Sequence, residues 1–435
     1  MSDARLLDVA VTVVGAGPAG LAAATQLAAR GVGRVVVLDR EDLPGGLPAQ
    51  SEHRGFGLRR HMIPLSGRRY AERLVADATR AGAEIRLQCT ALRIASREVL
   101  AVSPQGLERY RCRAVVLATG CREAPWPYRA PAGSRPAGIF NTAVVHRLLT
   151  LMRELPGKRV VVVGSEDVGL MAVRLLQVAG ARVAAIVDEL PYLLGFRMNY
   201  LYSVAVFGVP LLLGHRVLRI LGRRRVVGID VAPSAPGRGQ ITHIPCDTVV
   251  FSGRFVPEST LALEAGIEMA PETIGPAITQ HYQTSAAGVF ACGNVLHGAE
   301  SADVAESEGA RAAEAVSRYL AGRLPEEPQV RIICGPAAAS VIPHRLVLTS
   351  GEAVPLLARS DAPRRSAIIA IRAAGQRIAW AWRPWVVPHR ATMVRISVPT
   401  AGHRGQVEVS IRGKRRGPDF TLRSYAVPGE WGRKV

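Results

Sequence analysis

The sequence predicts an α/β fold in which one strand–turn–helix–strand unit occurs twice, closed by a small all-β region. Three observations predict it. The stretch Val11–Asp39 (VTVVGAGPAGLAAATQLAARGVGRVVVLD) sets an apolar run, a glycine turn, an alanine-rich segment, a second apolar run and an acid in register. The stretch Arg159–Asp188 (RVVVVGSEDVGLMAVRLLQVAGARVAAIVD) repeats that order. From Val330 onward, short runs rich in Val, Ile and Trp alternate with Gly/Pro turns.

Val11–Val14 reads as a buried parallel strand. Gly15, Gly17 and Gly20 follow at G-x-G-x-x-G spacing. In a dinucleotide fold the first glycine permits the tight turn, the second lets backbone approach a pyrophosphate, and the third lets helix pack on strand. Leu21–Arg30 reads as the helix, whose N-terminus offers unpaired N–H groups to phosphate. Val35–Leu38 is a second buried strand, and Asp39, 19 residues past Gly20, stands where a carboxylate meets a ribose hydroxyl. This is a Rossmann-like unit. Pro44-Gly45-Gly46 forms a turn that keeps backbone near the nucleotide, and the polar, glycine-broken Gln50–His61 is a loop. A helix is expected over Arg69–Ala81, stopped by Gly82, then a strand pair or bent strand over Ile85–Ile94. Arg113–Leu117 is a further buried strand ending in Ala118-Thr119-Gly120.

In the second unit Gly164 and Gly169 match the first and third glycines, but Glu166 stands at the second. A carboxylate beside a diphosphate at about 4 Å repels by roughly 4 kcal/mol at an effective dielectric of about 20. Asp188 also disfavours the extra phosphate of NADP. NAD(P) binding is therefore doubtful, and the alternative, an outward-swung Glu166 with NADH bound, stays open. Val249–Arg254 (VVFSGR) echoes the earlier VVLATG. Gly288–Asn294 (GVFACGN) reads as a short strand, followed by an amphipathic helix over about Ala302–Leu320 and a Pro325/Pro328 linker. Seven strands are expected beyond it: Arg331–Cys334, Arg345–Thr349, Ser366–Ile371, Arg377–Trp382, Thr392–Val398, Gln406–Ile411 and Phe420–Val427. The expected domains are 1–125 with 257–325, then 126–256, then a basic β domain over 330–435.

At 435 residues and 48% hydrophobic content, disorder is not the default. The formal net charge is +20, and it is unevenly spread: residues 331–435 hold 18 Lys+Arg against 5 Asp+Glu. Only three basic residues are lysine, a ratio that genome composition explains as well as phosphate binding does. No apolar stretch reaches bilayer length and no apolar signal segment precedes the first strand, so no membrane span and a cytoplasmic location are expected. The six cysteines make no C-x-x-C, which argues against a metal site, a redox dithiol or an iron–sulfur motif.

The GAGPAG with Asp39, the VVLATG, the central second motif and the late GVFACGN occur in the order found in FAD-dependent pyridine nucleotide–disulfide oxidoreductases. The chain resembles that superfamily over about residues 5–322, and within it most resembles the flavoprotein subunits of opine oxidase and hydrogen cyanide synthase. The resemblance implies a glutathione-reductase-like pair of domains. It implies FAD pyrophosphate at Gly15, Ala16, Gly17, Pro18, Ala19 and Gly20, with adenosine ribose at Asp39 and Arg40. It also implies FAD contacts at Gly46, at the Ala91 backbone, at Ala118-Thr119-Gly120, and at Gly293-Asn294, where Asn294 replaces the usual aspartate. Gly164, Glu166, Gly169 and Asp188 would form a degenerate nicotinamide-nucleotide site. No cysteine follows Gly46, where the stretch has Ser51 and His53, so disulfide reduction is not expected.

His53 and His297 are candidates for acid–base or flavin-facing roles, with an ordinary structural role as the competing reading. Glu300 and Asp303 read as caps for the following helix. Trp380, Trp382 and Trp385 read as core packing rather than base stacking. The expected function is an electron-transferring FAD subunit of an amine, amino-acid or opine-type dehydrogenase, with a small-molecule substrate and an acidic iron–sulfur or second flavoprotein partner. The alternatives are a stand-alone NAD(P)H-dependent FAD reductase and a flavin-stabilised protein with a nucleic-acid-contacting tail. The lack of any nucleic-acid motif counts against the last.

Overall fold

A computed structural model describes residues 4–95, 97–124, 131, 133–235, 239–253, 255–325, 329–348, 353–388, 390–397 and 406–415. It contains two compact units, one built from Met1–Arg122 with Phe255–Arg415 and the other on Glu123–Arg254.

The first unit is organised on a seven-stranded sheet. Arg5–Val14 lies at its centre, parallel to Val35–Leu38 on one side (Val11 opposite Val35) and to Gly106–Leu117 on the other (Val14 opposite Leu117). Valines on both faces are wholly buried, which is why these strands read as apolar runs rather than alternations. The helix Pro18–Ala29 follows the glycine turn, and Gly67–Arg80 follows the loop, N-capped by Ser66, whose hydroxyl accepts from Arg69 N–H. The bent segment resolves into Glu84–Arg86 and Thr90–Ala95. Val289–Ala291 returns to pair with Val115–Leu117 and leads to the helix Ala302–Leu320. The expected loop over residues 50–61 instead holds a short strand, Arg54–Phe56, paired with Leu65–Ser66, and a helical turn, Leu58–His61. Among the described residues no helix is long and apolar enough to cross a membrane.

The second unit repeats the plan on a smaller scale. Arg159–Val163, the helix Asp167–Val178 and Arg182–Asp188 occur where the repeated motif predicts them. Thr248–Phe251 pairs in parallel with Arg159–Val163, as the last strand of the repeat should. Ile139–Asn141 and Leu211–Leu213 complete a five-stranded parallel sheet.

Beyond residue 328 the regular elements among the described residues are all β-strands. Five strands (Arg345–Val347, Gln329–Cys334, Val407–Arg415, Arg364–Ala373, Gln376–Val386) form one sheet, and Ala338–Ile342, Ala353–Ser360 and Thr392–Ser397 form another. Leu346, Leu356, Ile369, Val394 and Val409 from the two sheets share one hydrophobic cluster. Sequence reading missed Ala338–Ile342 and Ala353–Ser360. Pro355 argues against a central strand, yet it sits where Ala353–Ser360 has only one neighbour, since pairing with Ala338–Ile342 begins at Leu357. The expected strand Phe420–Val427 lies outside the described residues. This β region belongs to the first unit. Gln280 bonds both the N–H and the carbonyl of Val347 (2.8 Å each), and Arg359 meets Glu300 at 2.6 Å.

Candidate functional site

The site is clearest at the first glycine turn. Gly15 has φ +108°, and a Cβ there would lie 2.3 Å from the carbonyl oxygen of Ala118. A Cβ on Gly20 would lie 1.9 Å from the carbonyl oxygen of Gly15. Both glycines are demanded by the fold itself. Gly17 is different. Its backbone is extended (φ −79°, ψ −177°), a conformation any residue adopts, and a Cβ would meet nothing within 4 Å. Among the described residues nothing requires glycine at that position. The space it leaves lies at the N-terminus of Pro18–Ala29, which carries no side-chain cap. A helix end of that kind fits an anion, so the cradle fits the FAD pyrophosphate.

The surrounding residues converge on this turn. Asp39 accepts from Ala16 N–H through Oδ2 (2.6 Å) and from Glu41 N–H through Oδ1 (2.9 Å). Burial pushes its carboxyl upward, opposed by those two N–H donors. Arg40 beside it is largely exposed. Gly45 N–H donates to the Ala16 carbonyl (2.8 Å), and Gly46, at φ +61°, abuts Gly17 and Pro18, so the Gly45-Gly46 turn lies against the glycine loop. Cys89 N–H donates to the Asp39 carbonyl (2.8 Å), which brings the strand of Ala91 to Asp39. Ala118 N–H donates to Val14 (2.8 Å), and Thr119 Oγ1 donates to the Glu258 carbonyl (2.7 Å).

Gly293 faces the same helix. A Cβ there would lie 2.6 Å from the Ala19 Cβ, and one on Gly309 would lie 2.0 Å from the Ala19 carbonyl oxygen. Asn294 Oδ1 accepts from Glu300 N–H (3.1 Å). Sequence reading missed Glu308. It is 1% exposed, accepts from Gly293 N–H at 3.0 Å and meets His297 Nε2 at 3.1 Å. His297 is thereby a buried partner of that carboxylate, and its Nδ1 lies 3.1 Å from the Gly298 carbonyl. The one sequence signal for Glu308 is an acid amid Ala305, Gly309 and Ala312, on the buried face of the helix. Glu300 does not cap the helix: Ser301 holds the N-cap position, and Glu300 accepts from Arg359 and from Ala391 N–H.

His53 packs on Phe56 (ring centroids 4.9 Å), which stacks on Tyr70, whose hydroxyl donates to Glu306 (2.6 Å). Burial holds the His53 imidazole below its ordinary pKa, and its Nδ1 is enclosed without a partner among the described residues.

In the second unit Gly164, Gly169 and Asp188 rebuild the frame. Asp188 accepts from Ser165 N–H (2.8 Å) and Leu190 N–H (2.9 Å). Glu166 occupies the helix N-cap with φ −67° and ψ 161°, and its Oε2 folds back against Gly164 and Ser252. That oxygen and the Ser252 hydroxyl are both buried, and among the described residues neither has a hydrogen-bond partner of good geometry. Burial, then the nearby charge of Asp188, pushes the Glu166 carboxyl up to about 7.

All six cysteines are free. Burial pushes the Cys112 and Cys334 thiols up to about 11, far from a reactive thiolate.

Tandem nucleotide folds with a cradle of this kind define an FAD-dependent oxidoreductase. Residues 9–309 match the family model described as pyridine nucleotide-disulphide oxidoreductase, and the chain belongs to that family. It is 28% identical over 344 residues to the A-subunit of opine oxidase from Agrobacterium tumefaciens (strain Ach5), covering 71% of this chain and 64% of that protein. It is 28% identical over 355 residues to the glutamate synthase [NADPH] small chain of Halomonas elongata, covering 74% and 70%. The chain therefore spans about two thirds of the length of these curated relatives. The thioredoxin reductase structure of T. acidophilum superposes with a TM-score of 0.59 at 22% identity, covering 72% of this chain and 99% of that one, and shows the fold.

Proposed function

We propose that this chain is the electron-transferring FAD subunit of a dehydrogenase acting on an amine, amino acid or opine, and that NAD(P)H is not its electron donor. One observation carries this reading: Glu166 holds the helix N-cap position that Gly17 holds in the first fold. FAD, when bound, supplies an acceptor for a hydride or electrons. The chain's own groups do the rest. The Gly17 gap and the N–H groups of the first helix receive the pyrophosphate, and Asp39 keeps a lone pair on each oxygen for ribose hydroxyls. Asn294, fixed through Oδ1 by the Glu300 N–H, would have its carboxamide donor left for the ribityl chain. Glu308 anchors Gly293, so that turn is held by a charge-assisted bond. Gly164, Glu166, Gly169 and Asp188 keep the frame of a nicotinamide-nucleotide site, in which Glu166 would crowd a diphosphate and, once ionised, oppose it.

The likeness to the opine oxidase A-subunit supports a place in a multi-subunit enzyme, the partner being an acidic iron–sulfur protein or a second flavoprotein. Six free cysteines suit a reducing cytoplasm. The domain reading is FAD-binding 1–125 with 257–325, nucleotide-like 126–256, and a basic β region from 330. Purified protein should be yellow and release FAD, not FMN, on heating. Stopped-flow reduction under nitrogen tests the donor: NADH and NADPH should bleach the flavin slowly or not at all. Fast bleaching at micromolar NADH would overturn the reading and leave the stand-alone NAD(P)H-dependent reductase, which the likeness to an NADPH glutamate synthase chain supports.

A further inference from the structure

The sequence places Trp380 and Trp382 in a core, and the structure does not. They are 58% and 52% exposed. They lie on Gln376–Val386, an edge strand of the five-stranded sheet, at a spacing that puts both on one face. On the neighbouring strand Ile368 is opposite Trp382 and also exposed. At one end of the face Arg365 stacks on Trp385, 4.6 Å from the ring centroid. On the third strand Arg412 is opposite Ile368 and Lys414 opposite Arg365. Among the described residues neither Arg412 nor Lys414 has an ion-pair partner. The three strands carry eight Lys+Arg and one acid, Glu408.

We propose that this face, centred on Trp380, Trp382 and Ile368 and rimmed by Arg412 and Lys414, docks an acidic protein partner that carries its own apolar patch. The inference rests on the subunit reading above. Exposed tryptophan is costly in water and is enriched, with arginine, where protein interfaces concentrate their binding energy. A rim of one sign selects a partner of the other and repels a second copy of this chain. Flat apolar contact continued by Ile368 fits a folded protein surface, where a nucleic-acid platform would rely on stacked rings alone. The Arg359–Glu300 pair ties this β region to the turn carrying Asn294, so a docked partner is held on the flavin-bearing unit.

The test is co-expression of the full-length chain with the products of the genes flanking its own, each tagged in turn. Affinity is measured at 0.01 M and 0.15 M ionic strength, where the Debye length falls from about 30 Å to about 8 Å. The expected result is capture of an acidic product, markedly weaker at the higher salt. Trp380→Ala/Trp382→Ala and Arg412→Glu/Lys414→Glu should each weaken it about tenfold or more, with flavin content unchanged. If wild type captures the acidic product and both variants bind it equally, the face is not the dock, while the subunit reading stands. Failure of wild type to capture any acidic product overturns the proposal, and rapid NADH reduction in the same preparation overturns the subunit reading as well. Capture that nuclease abolishes assigns the face to nucleic acid instead.

Discussion

In the first nucleotide fold Asp39 accepts from the N–H groups 23 residues before and 2 residues after it; in the second Asp188 does the same, at the same offsets. The N–H of the first glycine donates to the end of the strand that follows the helix in both, from Gly15 to the Leu38 carbonyl and from Gly164 to the Val187 carbonyl, at 2.8 Å each. The third glycine packs on the first in both. The folds part at one side chain. Gly17 and Glu166 hold the same helix N-cap position in nearly the same backbone conformation. The frame is therefore retained by internal hydrogen bonds and close packing, which do not depend on a ligand. The open position answers only to what enters it. One copy has kept glycine there, and the other carries a glutamate whose carboxyl folds back against the first glycine of its own turn.

The largest effect should come from erasing that difference in the first fold. Gly17→Glu should fold normally, because the backbone and the space accept a side chain, yet purify without flavin. The absorbance near 450 nm against that of protein measures it, and full flavin in the variant would remove the pyrophosphate from this turn. Next comes the reverse exchange. Glu166→Gly removes a side chain that, once ionised above about pH 7, repels a diphosphate by up to roughly 4 kcal/mol, so at pH 8.5 NADH reduction should quicken by up to about two to three orders of magnitude if the rest of that site is intact. An unchanged stopped-flow rate would show that the second fold lost more than one glycine. The smallest effect is on stability. A folded-state carboxyl raised from 4.5 to about 7 contributes stability that is fully present below pH 4.5 and is lost as pH rises through about 7. Glu166→Gln has no such loss. Its melting temperature should exceed that of wild type at pH 8.5, by a margin worth about 1–2 kcal/mol, and the margin should close by pH 5. A constant margin would mean that Glu166 titrates as an exposed residue.

Much of this was legible in the sequence, for a physical reason. Gly15, Gly17, Gly20 and Asp39 act within one strand–helix–strand unit, so spacing alone brings them together, and the same holds for Gly164, Glu166 and Asp188. Glu308 was not legible, because its role depends on a turn folding back so that Gly293 N–H and His297 both meet it. The tryptophans were misread because alternation along a strand says which residues share a face, and not whether that face is covered. Glu300 looked like a cap because Arg359, its partner, comes 59 residues later.

The close seat of Gly293 and Gly309 on Ala19 has a consequence for how the protein is made. Val289–Ala291 and Ala302–Leu320 complete the seven-stranded sheet and its helix packing, yet residues 123–254 emerge from the ribosome before them. At about 5–20 residues per second, the N-terminal third waits roughly ten to forty seconds for its last strand and closing helix. The second unit, contiguous in the chain, is free to fold meanwhile. Limited proteolysis of stalled nascent chains should find it protected first, with flavin captured only after residue 320 has cleared the exit tunnel. The incomplete first sheet would spend that interval with Val115–Leu117 lacking its last neighbour, a window in which a holding chaperone has the most to protect.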